Sequence, residues 1–127
     1  MDSTDKQKTG QLGEDLACEC LINNRYRIIE RNYRKPWGEI DIIAKDHDKT
    51  LVFIEVKTLQ QSTNFNLKPE DQLTASKLKK VARTASLYSG ANQGLINKDM
   101  GWRIDLIAIT LNNTNNPIIS HYKNINL

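Results

Sequence analysis

Three residues in the stretch from Gly38 to Thr58, GEIDIIAKDHDKTLVFIEVKT, have the types and spacing to do chemistry: Asp41, Glu55 and Lys57. Apolar residues alternate with others at Ile40, Ile42 and Ala44, and again at Val52, Ile54 and Val56. This is the period of two expected of strands with one face turned to a core. The polar segment KDHDKT between the two runs predicts a hairpin loop. With Lys45 paired to Leu51, Asp41 falls opposite Glu55 on the face away from Ile40 and Val56, where facing Cβ atoms stand only ~5 Å apart. Lys57 and Glu39 each lie two positions from one of these acids and share the face.

Carboxylates that close repel by roughly 3 kcal/mol at an effective dielectric near 20. A positive charge between them removes the penalty. Mg²⁺ and Mn²⁺ are the ions that take one or two carboxylates, a carbonyl such as that of Val56, and several waters. Lys57 would then orient or help deprotonate a water, or meet charge on a phosphate. The competing reading is a structural ion pair between Lys57 and an acid on a solvated hairpin face.

The surrounding elements must position these groups. Gly10 to Asn23 reads as a helix with Asp15, Glu19 and Asn23 on its solvent side. Glu14 falls instead within the apolar arc of Ala17, Cys18 and Leu21. It either caps or snorkels near the helix start, or faces the same cation site as Asp41 and Glu55. Gly10 and Gly13 would let this turn approach another backbone closely, and residues 1–9 are expected to be a flexible polar tail. Arg25 to Tyr33 reads as a first strand with Tyr26, Ile28 and Glu30 on one face and Arg25, Arg27, Ile29 and Arg31 on the other. Arg34, Lys35, Pro36 and Trp37 then turn the chain into the hairpin. This basic run, Arg34 and Lys35 included, either tracks phosphates or forms a solvated edge.

Leu59 to Pro69 has no periodicity and reads as a mobile loop. A second helix is expected over Glu70 to Tyr88, burying Leu73, Leu78, Val81, Ala82, Ala85 and Tyr88. Lys77 lies among these apolar positions, where it either snorkels or reaches a phosphate; Gln72 belongs to the same neighbourhood. Trp102 to Leu111 is nearly continuous in apolar residues, hence an internal strand, with Arg103 and Asp105 paired at its start. Pro117 to Tyr122 is a short edge strand.

At 127 residues the chain is expected to be one domain with a real core, and its 39% hydrophobic and 26% charged residues are ordinary for a globular protein. No apolar run approaches ~18 residues, and the start, MDSTDKQKTG, lacks the apolar stretch of a signal peptide. A cytoplasmic protein with no membrane partner is the expectation. Cys18 and Cys20 point in different directions on a helix and are expected to be reduced thiols; neither has a zinc-ligand spacing, and His47 and His121 stand alone. The formal net charge of +3 becomes +7 once the four acids Glu14, Glu39, Asp41 and Glu55 are set aside. Such a basic shell suits a nucleic-acid partner.

The blocks GQLGEDLA, RNYR, GEIDIIA, VFIEVKT and WRIDLIAI are similar, in order and spacing, to the signature of the YraN family over about residues 10–110. These small bacterial proteins are of unsettled function and are likened to archaeal Holliday-junction resolvases. The order helix, three strands, helix, strand, with acids on the first helix and on strands two and three, resembles the PD-(D/E)xK nuclease superfamily. The resemblance implies an α/β, restriction-endonuclease-like core of order αβββαβ, with a mixed central sheet flanked by helices. It also implies a Mg²⁺- or Mn²⁺-dependent endonuclease acting on DNA, structured or branched DNA among its targets. Glu14, Asp41, Glu55 and Lys57 would form the site, Glu39 belongs to the family's GEID block, and Lys77 matches a basic position of the second helix. Relatives commonly carry Arg two places after the motif lysine, where this chain has Leu59. Cutting two strands symmetrically would call for a two-fold homodimer. Two alternatives stay open: a nucleic-acid-binding module that keeps the fold but cuts nothing, and an interaction protein whose ionic cluster only fixes the fold.

Overall fold

The predicted hairpin lies at the centre of a five-stranded sheet in the computed structural model, which describes residues 3–60, 73–112 and 116–125. The elements are α1 (Ser3–Asn23), β1 (Arg27–Lys35), β2 (Gly38–Lys45), β3 (Leu51–Gln60), α2 (Ala75–Ala91), β4 (Trp102–Leu111) and β5 (Ile118–Tyr122). The strands lie in the order β1-β2-β3-β4-β5. Only β3 and β4 pair in parallel, and α2 is in the connection between them. A mixed sheet with α1 and α2 packed on it is thus the observed architecture, with β5 as an edge.

Each face of the sheet has its own core layer. Ala17, Cys18 and Leu21 of α1 pack on Ile42, Ala44, Val52, Ile54, Ile107 and Ile109. Leu78, Val81, Ala85 and Tyr88 of α2 pack on Ile40, Ile43, Leu51, Phe53 and Ile104. The hairpin register is the expected one, Lys45 opposite Leu51 through to Ile42 opposite Ile54.

Ile40 is a correction, since alternation puts it beside Ile42 but it packs in the α2 layer. The cause lies in the neighbouring strand. β1 carries a register shift between Ile28 and Glu30, and Asn32, between the pairs Arg31–Ile42 and Tyr33–Ile40, takes a left-handed φ of 53°. Two such irregularities break the period of two. Ile29 therefore packs with the α2 layer while Arg31 turns to α1, so the two do not share a face as expected.

Element boundaries moved too. α1 begins at Ser3 rather than Gly10. It ends where Arg25 takes a φ of 69° and the Tyr26 N–H donates back to the Leu21 carbonyl, a Schellman closure. β1 runs through Lys35, so the turn contains only Pro36 and Trp37. Leu59 and Gln60 continue β3 and are not loop; the rest of the expected loop, and Gln72, lie outside the described residues. α2 begins at Ala75, its N-cap Thr74 accepting the Lys77 N–H, and ends beyond Tyr88 at Ala91.

Arg103 and Asp105 pair as expected, at 3.0 Å, but the pair is the centre of a wider buried network. Arg103 also donates to Asp46 at 3.0 Å and to the Tyr26 hydroxyl at 2.9 Å. His121 meets Asp105 at 2.8 Å and His47 meets Asp46 at 2.9 Å, so neither histidine stands alone. The network ties β4 to the hairpin loop and to β5.

Candidate functional site

Beyond Ile42 and Ile54 the β2–β3 pairing stops, and at this point the acids stand. The Val56 N–H donates to Asp41 Oδ2 at 2.8 Å. A carboxylate thus takes a main-chain donor of β3, which locks Asp41 beside Glu55. Glu55 is 9% exposed and Asp41 half-buried. Both open on a cleft of about 830 Å³ that also takes in Glu14, Asn32, Arg34, Glu39, Val56 and Lys57.

α1 brings Glu14 to this cleft by a close approach at Gly13, where a Cβ would run into the Thr58 side chain. Gly38 makes the equivalent approach to Thr84 of α2 at the start of β2. Arg31 holds Glu14 from behind at 3.9 Å, and the Asn32 amide, oriented to donate, lies 3.2 Å from both of its carboxylate oxygens. The left-handed Asn32 therefore has a purpose: asparagine tolerates that backbone better than most residues, and it turns its amide into the cleft.

The electrostatics are those of an acid cluster short of counter-charge. Burial, reinforced by the charge of Asp41, pushes Glu55 up to about 8, with Lys57 opposing. Burial also raises Asp41, against the Val56 N–H and Lys57. Burial and then Asp41 raise Glu14, while Arg31 opposes. Asp41 and Glu55 are hard oxygen donors, the type Mg²⁺ and Mn²⁺ accept. Among the described residues no group of three or more His, Cys, Asp or Glu side chains is arranged to hold a metal ion.

Glu14, Asp41, Glu55, Val56, Lys57 and Arg34 are therefore brought together, with Glu39 at the rim, where it pairs with Arg34 at 3.8 Å. Lys35 is not in the cleft; its ammonium sits 5.6 Å over the Tyr33 ring. Lys77 is exposed on α2, across the sheet from α1, and does not line the cleft. Gln7, Thr9 and Gln11 of α1 do line it, as do Asn32 and Thr58. Gln7 and Thr9 escaped sequence reasoning because residues 1–9 read as a tail, and Gln11, within the expected helix, because a neutral side chain on its polar side gives no signal. Asn32 had one signal, an asparagine where the alternation of RIIERNY fails. Leu59 lines the cleft near its motif lysine.

The family described as "Uncharacterised protein family UPF0102" matches residues 13–109. Similar chains include the UPF0102 protein of Persephonella marina, 41% identical over 118 residues covering 91% of this chain and 90% of the relative. That of Geobacter sulfurreducens is 40% identical over 115 residues, covering 91% and 85%. That of Corynebacterium efficiens is 33% identical over 123 residues, covering 96% and 94%. Among the described residues no helix is long and apolar enough to cross a membrane.

Proposed function

The chain belongs to the uncharacterised bacterial protein family UPF0102, the YraN family, and we propose that its cleft is the site of a Mg²⁺- or Mn²⁺-dependent endonuclease hydrolysing phosphodiester bonds in DNA. On this proposal the sheet and helices are a restriction-endonuclease-like core of the PD-(D/E)xK kind. The observation that carries it is the pair Asp41 and Glu55, two carboxylates raised by burial, Glu55 also by the charge of Asp41, opening on a cleft with Lys57 beside them. A protein that only bound phosphates would gain nothing from acids placed to face them.

Asp41 and Glu55, with the Val56 carbonyl, would hold the ion, which supplies Lewis-acid polarisation of the phosphoryl group. Lys57 orients the attacking water and meets charge developing on the phosphate. Glu14, held by Arg31 and Asn32, fixes the Asp41 carboxyl from the helix side. Arg34 at the rim offers positive charge to the backbone, and Leu59 offers none. Structured or branched DNA as substrate, a homodimer that cuts two strands, and a cytoplasmic location belong to the same proposal.

The test is a nicking assay on plasmid and branched DNA with Mg²⁺, Mn²⁺ or EDTA. Cleavage is expected only with a divalent ion, and Asp41→Ala and Lys57→Ala should each lower it at least ~100-fold. Wild-type activity in both variants would assign the cleavage to another site or protein. Among the described residues no group of three or more His, Cys, Asp or Glu side chains is arranged to hold a metal ion, and a second reading, a binding module without cleavage, needs none. That reading predicts salt-sensitive DNA binding indifferent to Asp41→Ala.

A further inference from the structure

The tip of the β1–β2 hairpin carries a large aromatic ring outside the core. Pro36 and Trp37 form the whole turn between the paired residues Lys35 and Gly38, and Trp37 is 47% exposed. Its arm is stiff, because Tyr33, Arg34 and Lys35 pair with Ile40, Glu39 and Gly38. The setting is basic: Arg34 lines the cleft and Lys35 is exposed at the last pair before the turn. Along the strand, Trp37 stands about 14 Å from Asp41 at ~3.4 Å per residue, the advance of about four stacked nucleotides.

An exposed aromatic ring just past two basic residues, one of which lines the cleft, has a specific use. Every base offers a π-face to stack on, while Arg and Lys meet the adjoining backbone. In a duplex those faces are covered by neighbouring base pairs, so only an unpaired base can present one. The positive charge of Arg34 and Lys35 favours a nucleotide, whose phosphates those side chains can meet.

We propose that Trp37 is a stacking platform for an unpaired base, and that it directs the cleft to single-stranded or branch-point nucleotides next to the bond that is cut. This rests on the nucleic-acid function proposed above.

The experiment is fluorescence anisotropy in EDTA, where no cleavage is expected, with a labelled blunt duplex and the same duplex carrying a short single-stranded overhang. Wild-type protein should prefer the overhang. Trp37→Ala should lose about tenfold in affinity for it, the scale of one lost base stack, and change its affinity for blunt duplex by less than about twofold on that basis. Trp37→Phe should retain most of the preference. In a Trp102→Phe background, overhang DNA should quench the remaining Trp37 emission. Equal losses on both DNAs, or none on either, would overturn the stacking role; if DNA were still cut in an Asp41-dependent way, the proposed function would stand without it. Absence of DNA binding by the wild type, with EDTA or with a divalent ion, would overturn both.

Discussion

Glu55 carries the largest electrostatic burden in the cleft, and its sign is opposite to that of an ordinary salt-bridged acid. Burial and Asp41 raise it from 4.5 in the unfolded chain to about 8 in the folded one. The folded state therefore binds the extra proton between those values, and stability must fall as pH rises through that window. In EDTA, Glu55→Gln should melt higher than wild type at pH 8, by at least ~1 kcal/mol, the worth of about one pKa unit. At pH 4 the two should melt alike. Equal pH dependence in both proteins would mean that the penalty resides elsewhere. The same substitution removes a charged oxygen donor, so a gain in stability should accompany a loss of cleavage.

At the scale of elements, the site depends on how closely α1 is drawn onto β3. Gly13 allows the contact with Thr58 and thereby sets the depth of Glu14. Gly13→Ala should destabilise by about 1–3 kcal/mol, the usual range for overpacking, and lower cleavage beyond the loss of folded protein. Adding Thr58→Ala should recover part of both, as read by thermal melts and nicking rates. No recovery would place the cost in the helix itself. The hairpin and its acids were legible in the sequence because period-two alternation and loop polarity are local properties, and together they specify the Lys45–Leu51 register. Ile40 and Arg31 were not, because the bulge at Ile29 and the left-handed Asn32 reset the phase of β1, which carries Arg31 and pairs with the strand of Ile40. Glu14 could be identified as an acid on an apolar arc, whereas its hold by Arg31 and Asn32 depends on residues far along the chain. The start of α1 was missed since a polar segment docked at a cleft has no apolar stripe to announce it.

Across the whole molecule, two buried polar clusters, one around Asp41 and Glu55 and the other around Arg103 and Asp105, pull stability in opposite directions. Burial acts to raise Asp105, but His121, Arg103 and the Asn124 N–H hold it below the ordinary value; Asp46 is likewise lowered, by Arg103 and His47 against burial. The stability these two contribute is present above the unfolded value of 3.8 and is lost as pH falls through their lower folded values. Asp105→Asn should destabilise by about 3 kcal/mol at pH 7, since it leaves Arg103 short of a buried partner, and should flatten the acid side of the melting curve. A substitution without effect there would make the network dispensable. Without a cation, the acid cluster lowers stability towards pH 8, so the maximum should lie on the mildly acidic side. A divalent ion held by Asp41 and Glu55 should lift that upper limb.

Proton release on cation binding tests this most directly. Calorimetric titration of Mg²⁺ and Mn²⁺ into the wild-type protein and into Asp41→Asn, repeated in buffers of different ionisation enthalpy, measures affinity and proton count together. With Glu55 at about 8, binding to the wild type at pH 7 should release a proton, release should fade as pH passes 9, and Asp41→Asn should bind at least ~10-fold more weakly. Binding without proton release, binding unchanged in Asp41→Asn, or no binding at either pH would contradict a cation site at Asp41 and Glu55.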